Sequence, residues 1–287
     1  MSILALPFAR PPALFLIEPI VRRALEEDLG RAGDLTTDLL IPYELEGRAN
    51  IVSRATGTLC GLICAACAFR LLDGSVQIDA HARDGAPLSA GQPIAAIEGR
   101  IRALLGAERV ALNFVGHLSG IATATRELVD AVADTRARIV CTRKTTPGLR
   151  VLEKYAVRCG GGFNHRFGLD DAVLIKDNHI AAAGGLRPAI ERVRQGLGHM
   201  VMVEVEVDTL DQLKEALALG VSTILLDNMT LDDMKTAAEF ARGRALLEAS
   251  GGITIQTIRA VAETGVDFIS AGGITHSARN VDVGLDF

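Results

Sequence analysis

In the segment VEVEV, Glu204 and Glu206 alternate with Val203, Val205 and Val207. In a strand that alternation sends both carboxylates to one face and all three valines to the other. Valines suit a face packed under helices, so the glutamates point to the enclosed side of a sheet. Two enclosed carboxylates are costly unless a cation or a metal ion meets them. Asp227 closes the next strand-like run, TILLD, and comes to lie beside them. Hard oxygen donors such as Glu206 and Asp227 suit Mg2+, which keeps waters and substrate phosphates in its shell. From these residues alone, an ion-pair network plugging the interior explains the pair equally well.

A cationic set stands opposite. Residues 141–180 hold Lys/Arg at 143, 144, 150, 154, 158, 166 and 176 against Asp/Glu at 153, 170, 171 and 177, a positive stretch in a chain of net charge −5. Arg150, Lys154 and Arg158 recur at helical spacing and are expected on a solvated face. Arg143, Lys144, Arg166 and Lys176 fall at strand ends or in the loop GGGFNHRFG, where they make an anion site. The expected substrate therefore carries several negative charges, as carboxylate or phosphate. Ser250-Gly251-Gly252 and Ala271-Gly272-Gly273 follow the last two strands. Glycine there lets backbone N–H groups approach phosphate oxygens, although a single such pair is more often only a tight turn.

The elements that must position these residues read in two halves. Up to about residue 100, strand-like pieces separated by glycine (ANIVSRATGTLCG, SVQIDAHARDG, PIAAIEGRI) enclose one helix, GLICAACAFRLL, and suggest a small α/β layer with an antiparallel sheet. From Ile101 to about Asp134 apolar residues recur at helical spacing. After residue 137 six short apolar strands (RIVCT, AVLIK, MVMVEVEV, TILLD, ALLEAS, DFISAG) alternate with amphipathic helices, the pattern of a parallel sheet. Each strand ends in a polar residue or glycine: Arg143 and Lys144, Lys176, Glu206, Asp227, Ser250, Gly272 and Gly273. A (β/α) barrel gathers all such ends at one mouth, whereas a doubly wound sheet would use only two or three. No GxGxxG follows the first strand. The expected fold class is therefore α/β, an N-terminal α/β layer followed by an incomplete (β/α) barrel, with six strands visible rather than eight.

Composition excludes several functions. The 287 residues contain no Trp and two Tyr, too few for a base-stacking platform, and the net charge of −5 opposes affinity for nucleic acid or anionic membranes. No apolar run approaches the ~20 residues of a membrane span. The opening MSILALPFARPPALFLIEP is apolar, but Pro7, Pro11 and Pro12 break it and no basic start or cleavage site accompanies it, so a soluble, cytoplasmic protein is expected. Cysteines 60, 64, 67, 141 and 159 form no disulfide framework. The Cys64–Cys67 pair lacks a histidine at finger spacing and reads as small apolar residues of a buried helix. Cys159 has no evident activating partner. His117 reads as a satisfied interface or core residue and His199 as loop surface, while His179 stands between site and scaffold.

Taken together, EDLGRAGDLTT (27–37), LLGAERVALNF (104–114), TRKTTPGLR (142–150), GGGFNHRFGLDDAVLIKDNH (160–179), VEVEV (203–207), LLDNM (225–229), SGG (250–252) and GVDFISAGGITHS (265–277) resemble the quinolinate phosphoribosyltransferase family over nearly the full length. The resemblance implies an open α/β sandwich over 1–117, with the tail 276–287 packing back on it, and an incomplete barrel over 118–275. It implies conversion of quinolinate and phosphoribosyl pyrophosphate to nicotinate mononucleotide, CO2 and pyrophosphate in NAD biosynthesis, with Mg2+ as cofactor. It also implies a homodimer, or a hexamer built from dimers, whose sites are shared between subunits. On that basis Arg143, His165 and Arg166 hold the quinolinate carboxylates, joined by Arg109 from the neighbouring subunit. Lys144 and Lys176 contact substrate anions and, with Glu206 and Asp227, carry catalysis. Glu206 and Asp227 take the ribose hydroxyls and the Mg2+-pyrophosphate unit. Ser250, Gly251, Gly252, Ala271, Gly272 and Gly273 cradle the 5′-phosphate, with His276 nearby. Many relatives have Gly-Ala where this chain has Gly272-Gly273, a change that leaves a backbone phosphate site intact. The rival readings are a molybdenum-transport-associated relative of the same fold, a nicotinate-using phosphoribosyltransferase, a Schiff-base aldolase using Lys144 or Lys176, and a ligand-sensing barrel without turnover. The intact TRKTTPG, NHRFG and LIKDNH motifs favour the quinolinate enzyme.

Overall fold

A computed structural model describes residues 9–287, so the part of the opening segment before Ala9, and the question of a leader there, lies outside the described residues. The chain divides into two units. One takes in the residues up to Arg126 with Thr145–Gly161 and Ile274–Phe287; the other comprises Glu127–Lys144 and Gly162–Gly273.

The first unit is built on β1 (Glu46–Ser53), β3 (Gln77–Ala80) and β5 (Pro93–Arg100), with a two-stranded ribbon of β2 (Gly57–Thr58) and β4 (Pro87–Leu88) beside them. In β1 and β5, Ala49, Ile51, Ile94 and Ile97 are buried. The helix Leu14–Leu29 buries Ile17, Val21 and Leu25 at four-residue spacing, a stripe that packs toward the cysteine-bearing helix Leu62–Leu72. Each such side chain contributes about 1.5–3 kcal/mol when fully buried. Cys64 and Cys67 are buried in that second helix as free thiols, as expected of small apolar residues.

In the second unit, β6 (Arg138–Val140), β7 (Val173–Ile175), β8 (Val203–Val207), β9 (Thr223–Asp227), β10 (Leu246–Ser250) and β11 (Phe268–Ser270) form one parallel sheet in the order β6-β11-β10-β9-β8-β7. Chain order is therefore ring order, with the ring open between β6 and β7. This is the expected incomplete barrel with its six strands. Helices Leu210–Ala218, Leu231–Ala241 and Ile258–Ala262 follow β8, β9 and β10. The first begins with a reciprocal cap between Thr209 and Gln212. Beyond the barrel, β12 (Val283–Asp286) pairs antiparallel with β1 in the first unit's sheet.

Three expectations need correction. The helix Arg150–Cys159 groups with the first unit rather than with the barrel. It is also buried on several sides, so Lys154 is only 2 % exposed rather than solvated. An ammonium so enclosed requires a partner, and Lys154 is not without one. The third concerns the strand AVLIK, which is followed by an additional helix, Asp177–Ala183, before the expected one at Leu186–Gly196. None of its residues is buried, so it carries no apolar period to announce it.

Candidate active site

The site grows from β8. Val205 and Val207 are fully buried, and Glu204 and Glu206 are also enclosed, at 6 % and 8 % exposure. The alternation places the two carboxylates on the same side of the strand, and each has found a cationic or imidazole partner. Lys176 Nζ lies 3.2 Å from Glu206 Oε2. Lys176 is the residue before the helix Asp177–Ala183, and its backbone N–H donates to His179 Nδ1 at 3.0 Å. His179 is therefore scaffold that fixes where Lys176 leaves the strand. Burial raises the Glu206 carboxyl from its ordinary value; Lys176 opposes the shift, while Asp227 and Asp177 add to it. Asp227 ends β9, and its Oδ2 accepts from Asn228 Nδ2 at 2.8 Å.

Glu204 faces a different neighbour. Its Oε2 lies 2.8 Å from His165 Nε2, and Glu248 Oε1 lies 3.8 Å from the same nitrogen. The other ring nitrogen, Nδ1, accepts the Arg166 backbone N–H at 2.8 Å, which places the ring proton on Nε2, directed at Glu204. Both nitrogens of His165 are thus engaged within the chain. Glu248, in the middle of β10, is buried at 5 % exposure, and its carboxyl is pushed up to about 7 by burial and by the charge of Glu204. Glu248 was not among the residues expected at the site. The signal for it was present: a lone carboxylate between Leu247 and Ala249 in the strand LLEAS.

Arg166 leaves the loop beside this group. Its Nη1 donates to the Ala172 carbonyl at 2.9 Å, and its Nε is buried with no hydrogen-bond partner among the described residues. The following turn is held by Asp171, which accepts from the N–H groups of Phe167 and Gly168 at 2.6 and 2.8 Å. Burial lowers the Arg166 guanidinium from its ordinary value, and Arg143 adds a like-charge repulsion. A second cation disfavouring the charge of a part-buried guanidinium suits an anionic ligand at Arg166. Lys144, next to Arg143, is exposed, with its N–H bonded to Thr142 Oγ1 at 3.0 Å.

The glycine turns close the group. Ser250 ends β10, in register with Asp227. Gly251 and Gly252 adopt φ of 97° and 59°, conformations suited to glycine. After β11, the Ala271 N–H already donates to the Val140 carbonyl at 3.1 Å, so the ladder uses that amide. His276 is exposed in the first unit, its Nδ1 2.6 Å from Ser277 Oγ. Arg109, on the helix Ile101–Ala131, is also exposed in the first unit. The second unit contains Arg143, Lys144, His165, Arg166, Lys176, Glu206, Asp227 and both glycine turns, and does not itself contain Arg109 or His276.

Among the described residues, two clusters have ligands of the types that hold metals: His165 with Glu204 and Glu248, and Cys60 with Asp84 and Cys159. In the first, the 2.8 Å contact is a hydrogen bond. In the second, the neighbours of Cys159 are a thiol and a carboxylate, neither of which activates a thiol. Asp84 accepts from Tyr155 Oη at 2.9 Å and from the Leu62 N–H at 3.2 Å, and burial raises the Cys60 thiol. His117 bonds Glu153 at 2.9 Å and is structural, as expected.

A parallel barrel open at one seam, with paired arginines, a lysine–carboxylate pair and glycine turns at its strand ends, defines a barrel enzyme for polyanionic substrates. The family described as "Quinolinate phosphoribosyl transferase, C-terminal domain" matches residues 121–286, and the corresponding N-terminal domain matches residues 34–119. The chain belongs to the quinolinate phosphoribosyltransferase family. It is 47 % identical over 260 residues to a probable nicotinate-nucleotide pyrophosphorylase [carboxylating] of Bacillus subtilis, covering 91 % of this chain and 89 % of that protein. It is 44 % identical over 274 residues to the nicotinate-nucleotide pyrophosphorylase [carboxylating] of Mycobacterium leprae, covering 93 % and 95 %. Among solved structures, the nicotinate-nucleotide pyrophosphorylase of Francisella tularensis superposes with a TM-score of 0.93 at 40 % identity, covering 98 % and 99 % of the two chains.

Proposed function

We propose that this chain is a decarboxylating phosphoribosyltransferase of NAD biosynthesis, converting quinolinate and phosphoribosyl pyrophosphate to nicotinate mononucleotide, CO2 and pyrophosphate. The observation that carries the reading is Arg166, whose Nε is buried with no hydrogen-bond partner among the described residues and whose charge Arg143 disfavours. A planar dicarboxylate offers such a pair the two carboxylates it calls for. The pyridine nitrogen attacks the ribose carbon as pyrophosphate departs, and positive charge develops on the sugar. Glu206 and Asp227 stabilise that charge, and Lys144 and Lys176 stabilise the leaving anion. The resulting pyridinium withdraws electrons, the adjacent carboxylate leaves as CO2, and the ring carbon takes up one proton. No covalent nucleophile is needed.

Mg2+ fits the donor set. Glu206 and Asp227 are hard oxygen ligands, and Asp227 already makes the Glu206 charge harder to hold, a conflict that a divalent cation relieves. Two protein carboxylates leave coordination positions to water and to the substrate. When bound, the ion neutralises pyrophosphate charge. Arg109 completes the quinolinate site of a partner subunit, so the working enzyme is a homodimer or a multiple of one. No helix among the described residues is long and apolar enough to cross a membrane. The five free cysteines suit a reducing, cytoplasmic setting.

The test mixes the protein with quinolinate, phosphoribosyl pyrophosphate and Mg2+ and follows nicotinate mononucleotide and CO2 together, with nicotinate as the control. Matched formation of both from quinolinate is expected. Mononucleotide from nicotinate instead would overturn the reading of the arginine pair.

A further inference from the structure

Asn228 is the only residue other than glycine, among the described residues, whose backbone lies in the left-handed region, at φ 52°. Residues with a Cβ adopt that region at a cost, asparagine at less cost than most, and keep it where the surroundings dictate it. Here three contacts do so. The Asn228 N–H donates to the Ser250 carbonyl at 3.0 Å. Its Nδ2 donates to Asp227 Oδ2 at 2.8 Å. Its Oδ1 occupies the space over Gly251 that a methyl group there would need. The ladder between β9 and β10 ends at the Asp227–Ser250 pair, so all three contacts lie just beyond the last rung.

We infer that Asn228 is a positioning residue for the phosphoribosyl donor, clamping the Asp227 carboxylate to the Ser250–Gly252 turn at a fixed spacing. The inference rests on the proposed function, in which Asp227 meets the ribose and the turn meets the 5′-phosphate of one molecule. The amide suits both ends of the clamp. Its NH2 occupies Asp227 Oδ2 and orients the carboxylate so that Oδ1 remains for the sugar. Its oxygen packs on a glycine that accepts no side chain. Aspartate would keep the backbone conformation but set a second carboxylate against Asp227. Glycine would keep the backbone and lose both side-chain contacts.

N228G and N228D separate these roles. Glycine takes up φ 52° without strain, so N228G is expected to melt close to the native chain. Its affinity for phosphoribosyl pyrophosphate with Mg2+, measured by calorimetry without quinolinate, is expected to fall about tenfold, the effect of one lost hydrogen bond to a charged group. Its KM for quinolinate is expected to stay unchanged. N228D is expected to lose more donor affinity than N228G. N228G and N228D binding and turning over the donor as the native chain does would overturn the inference. If the native chain binds the donor but leaves quinolinate untouched, the acceptor assignment fails while the calorimetric comparison still decides on Asn228. A native chain that does not bind the donor overturns both.

Discussion

His165 Nε2 stands 2.8 Å from Glu204 Oε2, and its opposite nitrogen accepts the backbone N–H of Arg166. The ring therefore joins the enclosed face of β8 to the loop that delivers an arginine to the mouth of the barrel. Glu248 lies 3.8 Å from the same nitrogen and brings a second carboxyl into the buried space occupied by Glu204.

Glu248 makes stability depend on pH. Its carboxyl is raised from an ordinary 4.5 to about 7, so between those values the folded chain holds a proton that the unfolded chain has released. The favourable contribution of the protonated form is complete below about pH 4.5 and is lost as pH rises to about 7, up to about 3 kcal/mol in all. E248Q removes that proton exchange. Urea unfolding of native and E248Q proteins from pH 4 to pH 8 is expected to give a difference that grows in favour of E248Q across this window and is flat above it. A difference independent of pH would show that Glu248 ionises normally.

Arg166→Lys tests the arginine pair. Lysine keeps the charge but loses the planar fork, and the carbonyl of Ala172 loses its Nη1 donor. The KM for quinolinate is expected to rise about tenfold to a hundredfold, with the KM for phosphoribosyl pyrophosphate little changed. An equal rise in both would point to collapse of the loop rather than loss of a dicarboxylate contact.

How far the site was legible in the sequence depends on the kind of signal. The facing of Glu204 and Glu206 followed from a two-residue period that a strand cannot evade, and the strand-end positions of Lys176, Asp227 and Ser250 followed from short apolar runs. Burial of Lys154 did not follow. Arg150, Lys154 and Arg158 recur at the four-residue spacing of a solvated stripe, and only tertiary packing decides that this face of the helix is enclosed. The lone carboxylate Glu248 in LLEAS was a weak signal, because one acidic residue in a short strand is equally consistent with an exposed edge. The left-handed backbone of Asn228 is set by Ser250 and Gly251, residues of the next strand's end, and nothing in LLDNM specifies it.

Gly251→Ala puts a methyl group where the Asn228 side chain lies, on a backbone of φ 97°. The change combines strain with a displaced asparagine. A stability loss of about 1–3 kcal/mol is expected, together with a raised KM for phosphoribosyl pyrophosphate. Gly252→Ala meets no neighbouring atom, so its cost should be confined to its backbone, at φ 59°. Equal damage from both changes would remove the special place given to the Asn228–Gly251 contact.

Shared sites can be tested by mixing two inactive proteins. Arg109 is exposed in the first unit, whereas Glu206 is enclosed in the second. E206Q should lose about a hundredfold or more in turnover, as expected when a preorganised charge facing the transition state is removed, and R109A should lose quinolinate binding. If each site takes Glu206 from one subunit and Arg109 from the other, a hybrid of the two variants contains one doubly damaged site and one intact site. Random exchange of subunits makes half of the dimers hybrids, so about a quarter of native activity should return on mixing. The measurement is quinolinate-dependent turnover before and after co-refolding of equal amounts. Recovery near that level requires Arg109 to act across the subunit boundary. No recovery, with hybrid dimers shown to form by differential tagging, would place Arg109 at the site of its own chain or outside the site altogether.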